Sequence, residues 1–163
     1  MSKYAVVRFP RIVVERLERE ARRLGVSLEE YILDLVLRDL DPPERAMEYI
    51  ESSRDLLEQL REELKRGNVR QAAEKAWGAA ALAVKAYAEW REAKRLASHG
   101  ELWEYKRRLE KDLGGWVSDA WAQATAMHLC FYERWCNRED VEEAAKRIER
   151  LVDEVRKRIL KVG

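Results

Sequence analysis

Apolar positions along this chain recur mostly every three or four residues, the spacing that places them on one face of an α-helix. In IVVERLEREARRL, Val13, Leu17, Ala21 and Leu24 share such a face, and Gly25 stops the pattern. Ser27, with Glu30 three residues on, has the form of a capping box for SLEEYILDLVLRDL, whose Tyr31, Ile32, Leu35, Val36 and Leu40 make a broad stripe. Asp41, Pro42 and Glu44 mark a fresh helix start, and Met47, Ile50, Leu57, Leu60 and Leu64 carry that helix to Lys65. Gly67 ends it, and Asn68 with Gln71 caps a helix of about 30 residues. On its inner face Ala72, Ala73, Ala76, Ala80, Ala83 and Val84 let a neighbouring backbone come close, with Trp77, Tyr87 and Trp90 beside them.

SHGE divides that helix from ELWEYKRRLEKDL, and Gly114–Gly115 breaks the pattern again. WVSDAWAQATAMHLCFYERW is apolar almost all round, which predicts a buried central helix. Asn137 and Asp140 cap the last helix, where Val141, Ala144, Ile148, Leu151, Val155 and Ile159 form one stripe. Only YAVVRFP reads differently: β-branched and aromatic, it predicts a single strand ending at Pro10. Short connections favour antiparallel neighbours. The expected fold is therefore all-α: an antiparallel bundle of four to five long helices over residues 42–163. A small strand–helix–helix appendage over residues 1–41 precedes it as a dimerisation or packing arm.

Composition narrows the function classes. Hydrophobic residues make up 47% and charged residues 39%, which supports a helical core and argues against disorder. The net charge of +1 excludes a strongly basic domain, so nucleic acid is a partner the charge balance does not support. No signal peptide is visible, and the most apolar run, AWGAAALAV, stops at Lys85, well short of the roughly 20 residues of a membrane span. The expectation is a cytoplasmic protein with no membrane contact, and abundant charge with few Asn and Gln leans towards a thermophile. Cys130 and Cys136 read as one helix, where six residues turn about 600° and rise about 9 Å, so two free thiols are expected. Metal-ligand spacings, phosphate-binding glycine loops and serine-hydrolase elbows do not occur, so no metal or cofactor is expected.

His128 is the sharpest candidate. Trp121, Thr125, His128, Tyr132 and Trp135 recur at helical spacing and predict a stripe that could line a ligand pocket around a titrating imidazole. The competing expectation is a buried histidine that fixes helix register. Glu133, five residues on, points away from His128 on a helix. Glu74 and Lys75 lie early in the alanine-rich helix, where a carboxylate suits the dipole, and they read as a salt bridge or an acid–base pair. His99, within SHG, reads as a solvated cap.

GNVRQAAEKAWGAAALAVKAYAEW followed by WAQATAMHLCFYERW resembles the archaeal PaREP family, and LRDLDPPERAMEYIE looks like that family's leader. The resemblance covers nearly the whole chain. The family's first helix, Gly-Asp/Asn then Gln-Ala-Ser/Ala-Glu-Lys, matches Gly67, Gln71, Glu74 and Lys75. Its later Leu-His…Phe-His-Glu helix matches His128, Phe131 and Glu133, with Tyr132 replacing the second histidine. The family is similar, distantly, to HEPN helical bundles, which implies homodimers and, in some relatives, metal-independent RNase activity through an Arg-x(4–6)-His motif. That motif is missing. No arginine stands five to seven residues before His128, Arg95 is only four before His99, and Lys94 lacks the guanidinium fork.

The leading expectation is a homodimeric or higher homo-oligomeric module that binds a protein partner or a small ligand such as a nucleotide. Its six tryptophans and long apolar stripes offer more sticky surface than a monomer hides. The alternative is a HEPN-like RNase or nucleotide-acting enzyme using His128 with Tyr132 and Glu133, though the missing motif leans against an enzyme. A weaker one is a DNA-binding regulator, since strand, helix, GVSLEE and helix are similar to ribbon–helix–helix dimers. There only Lys3 and Arg8 could reach DNA, and Glu29 and Glu30 would repel phosphate.

Overall fold

The computed structural model describes residues 5–161. Its helices are α1 (Arg11–Leu24), α2 (Leu28–Val36), α3 (Pro42–Lys65), α4 (Val69–Glu92), α5 (His99–Leu113), α6 (Trp116–Glu133) and α7 (Arg138–Lys161). Alanine decides where the core sits. Small side chains on several faces of α4 let α3, α5, α6 and α7 all close on it, and from Ala76 to Glu89 every residue of α4 is buried. The approach to α3 is close enough for the Ser53 hydroxyl to donate to the Ala79 carbonyl at 2.6 Å. The stripe of α7 faces inward as its spacing predicts, with Val141, Ile148, Leu151 and Val155 all buried, each worth about 1.5–3 kcal/mol relative to exposure.

Helix ends follow their caps unevenly. Ser98 and Glu101 form a full capping box on α5, and Asn137 and Asp140 exchange side-chain bonds to each other's backbone N–H at the start of α7. Asn68 makes no cap bond; its amide donates to Glu63 instead. The helix expected to run on to SHGE stops at Glu92, where Ala93 turns left-handed with φ 53°.

The all-α class holds, but two parts of the expected fold do not. Residues 5–10 form no strand: an isolated extended segment has no neighbour to take its N–H and C=O groups, and local propensity alone cannot hold it. Lys3 and Tyr4 lie outside the described residues. The bundle count also differs, with seven helices among the described residues rather than four to five. The first two form a hairpin through Gly25, whose φ of 73° is left-handed, and α2 packs on α4.

The cysteines require a third correction. Arg134 turns left-handed with φ 60° and ends α6 at Glu133, so Cys136 is not on the helix. The turn brings its Cα to 5.7 Å from that of Cys130, and the two form a disulfide. Among the described residues, no helix is long and apolar enough to cross a membrane.

Candidate functional site

Glu74, Gly78 and Lys85 share one face of α4, since steps of four and seven residues return to the same side of a helix. The α1–α2 hairpin lies against that face. A Cβ on Gly78 would come within 3.0 Å of Leu56 Cδ1 and 3.5 Å of Ser27 Oγ, so glycine makes room chiefly for Leu56 on α3, with the start of α2 in ordinary contact. Each end of the face carries a buried ionic group.

At Lys85 the group is sealed. Lys85, Glu30 and Asp34 are all buried; Lys85 Nζ stands 2.8 Å from Glu30 Oε2 and hydrogen-bonds Asp34 Oδ2, and the Tyr49 hydroxyl donates to Asp34 Oδ1 at 2.7 Å. The Glu30 contact is a charge contact without hydrogen-bond alignment, which leaves both its oxygens buried and unbonded. Burial therefore raises Glu30 despite the pull of Lys85. Burial also opposes the charge on Lys85, but Glu30 and Asp34 outweigh it and its pKa rises.

At Glu74 the group is half open. His128 Nδ1 and Glu74 Oε1 are 3.0 Å apart, bridging α6 and α4, with one proton needed between them. Burial raises Glu74, the bond to His128 opposes that, Glu29 adds to the rise, and Lys75 lowers it. The imidazole lies 5.0 Å from the Trp77 ring, stacks at 6.2 Å on His99, and meets the edge of Tyr132 at 5.2 Å. His99 packs in turn on Trp77 and Trp103, and its pKa is lowered by burial and by the charge of His128.

Glu74 also lines a cleft of about 390 Å³ between the α1–α2 turn, the start of α4 and the end of α6. Two guanidiniums wall it, each over an aromatic ring of the last turn of α6. Arg22 sits 5.6 Å from the Tyr132 centroid, and Arg70 sits 4.3 Å from that of Phe131 while donating to the Phe131 carbonyl. Glu18, Ser27, Glu29 and Gln71 complete the polar lining, and Lys75 pairs with Glu29. The cleft thus offers cations for an anionic group, an aromatic edge and a carboxyl whose pKa burial raises. No cluster of three or more metal-ligating side chains occurs among the described residues.

The expected stripe is only partly assembled. Trp121 is in the core, and the Thr125 hydroxyl is spent on the Trp121 carbonyl at 3.0 Å. Tyr132 reaches the cleft mouth, 42% exposed, whereas Trp135 lies beyond the helix end, 51% exposed. Glu133 is exposed on the last residue of α6 and takes no part in the Glu74–His128 contacts. Glu74 and Lys75 do not pair with each other: one turns to α6 and the other to α2. His99 is no solvated cap but half of the imidazole stack. Arg22, Arg70 and the Glu30–Asp34–Lys85 group escaped the sequence reading, although the shared face of Glu74 and Lys85 on an alanine-rich helix was a usable signal.

A family model described as the archaeal PaREP1/PaREP8 family matches residues 48–152. No curated protein and no solved structure matches the chain.

Proposed function

The chain belongs to the archaeal PaREP1/PaREP8 family, and from that premise we propose that it is a small-ligand-binding module, with a nucleotide as the ligand. The observation that carries this is the cleft floored by Glu74, itself bonded to His128, and walled by Arg22 and Arg70. A phosphate would take the guanidiniums, and a base would lie at Tyr132 with its donor edge on Glu74. In this reading the module is a cytoplasmic, distantly HEPN-like homo-oligomer. The disulfide fits a cytoplasmic protein of a hyperthermophile, where such bonds are common. Self-association is supported by Val6, Val7, Phe9, Ile12 and Val13, all exposed on one short stretch, which suits residues 1–41 as a dimerisation arm. Titration calorimetry with AMP is the test. The oxidised protein should bind one AMP per chain, and Glu74→Gln should weaken binding at least tenfold; no saturable heat in the wild type would sink the reading.

A second reading, metal-independent cleavage of RNA, is favoured by one observation: a carboxyl group orienting an imidazole at 3.0 Å, the arrangement of a general base. It predicts RNA cleavage in the presence of a chelator that disappears in His128→Ala. Equal cleavage by that variant would remove His128 from the chemistry.

A further inference from the structure

Beyond α6 the chain doubles back. Arg134 reverses the backbone, and Cys136 returns to the helix it has just left, where its N–H donates to Cys130 Sγ at 3.3 Å. The two bonded cysteines differ in access, since Cys130 is buried and Cys136 is only partly so. Both line a second cleft of about 450 Å³, whose walls include Arg70, Gln71 and Arg134. Arg70 and Gln71 also line the cleft that Glu74 floors, so one wall serves both.

The geometry points to the Cys130–Cys136 disulfide as an exchange site for a small anionic thiol, through which redox state reaches the neighbouring ligand cleft. Exchange begins when a thiolate reaches a disulfide sulfur, and Cys136 is the more exposed of the two cysteines that line the cleft. A bond forms between the small thiol's sulfur and Cys136 Sγ, the protein S–S bond breaks, and the electron pair leaves on Cys130 Sγ, where the Cys136 N–H already points. A second thiolate then attacks the small thiol's sulfur in the mixed disulfide and releases Cys136. The two thiols depart as their own disulfide, and the protons they gave up end on Cys130 and Cys136. Arg70 and Arg134 draw an anionic thiol and do nothing for a neutral one. The link to the ligand cleft rests on the function proposed above. Arg70 holds the Phe131 carbonyl, one residue from Cys130, so opening the bond frees the turn that presents Phe131 and Tyr132.

The full oxidised chain, without denaturant, is treated with glutathione or with uncharged 2-mercaptoethanol at equal thiolate concentration, and released thiols are alkylated and counted by mass. Two thiols should appear, glutathione should act at least fivefold faster, and Arg134→Asn should reduce that advantage at least twofold while leaving the 2-mercaptoethanol rate alone. Thiols that appear only on unfolding, or equal rates for both reagents, overturn the exchange site. Cys136→Ser should bind AMP at least fivefold more weakly than the oxidised wild type; equal affinity overturns the link between the clefts. If the oxidised wild type takes up no AMP, the ligand reading falls and the link with it, whereas the exchange rates still judge the disulfide on their own.

Discussion

Glu74 and Lys85 stand eleven residues apart on one face of α4, about three turns or about 16 Å, and their surroundings give opposite results. Lys85 finds both its carboxylates on α2 and a tyrosine on α3 behind them, all buried. Glu74 finds a histidine on one side and an open cleft with two guanidiniums on the other. A buried charge with every partner inside the protein holds helices in register. A buried charge whose remaining partners are solvent and the guanidiniums of an open cleft is arranged for something that arrives from outside. Local residue type does not separate the two; closure by neighbouring helices does.

The largest expected effect lies at the sealed end. Lys85→Ala leaves Glu30 and Asp34 buried without a cation and should cost about 3–5 kcal/mol of stability, read by urea unfolding. Glu74→Gln should cost less than a third of that, and a comparable loss would erase the distinction between the two ends. Next comes the turn that sets the hairpin. A Cβ on Gly25 would lie 2.8 Å from His99 Cβ, and φ is 73°, so Gly25→Ala should cost about 2–3 kcal/mol. Gly67, at φ 79° with nothing within 4 Å, isolates the backbone strain, and Gly67→Ala should cost about 1 kcal/mol. Equal losses would mean that the hairpin does not press on the imidazole stack.

Smaller effects sharpen the same contrast. Ser98→Ala removes the cap that seats His99 and should cost about 1 kcal/mol in thermal unfolding. Glu30 carries a pH signature. Its folded pKa is raised by burial, so its contribution is fully present below the ordinary value of 4.5 and is lost as pH rises through the raised one. Glu30→Gln, which keeps the shape and cannot ionise, should gain on the wild type in melting temperature as pH rises above the ordinary 4.5. A constant difference across that rise would show that Glu30 does not titrate with folding.

What the sequence reveals follows from how local the cause is. The stripe of α7 and the alanine face of α4 were legible because burial on a helix leaves a period in the chain. The end of α6 was not, because it turns on Arg134, and an arginine in the left-handed region carries no stop signal such as glycine or asparagine would. The disulfide was missed for that reason alone. Glu30 read as the second half of a capping box, and Ser27 does accept its N–H at 3.1 Å, but the carboxyl goes to Lys85 on another helix. Val6 and Val7 read as strand from their type, yet a strand needs a partner and no other segment among the described residues is a strand. In AMHLCFYERW the sequence placed His128 and Tyr132 correctly beside each other, while Glu74, the residue that gives the imidazole its role, lies 54 positions away.

The central claim is that the Glu74–His128 end of the face meets a ligand and the Lys85 end does not. The chain has two histidines, so nitrogen-labelled protein shows only two imidazole ring systems. Titration of the oxidised protein with AMP, followed by imidazole nitrogen resonances, tests the claim most directly. His128 Nδ1 should move saturably as Glu74 is engaged, and Lys85 Nζ should stay where it is. A His128 signal that holds still at millimolar AMP would contradict the account.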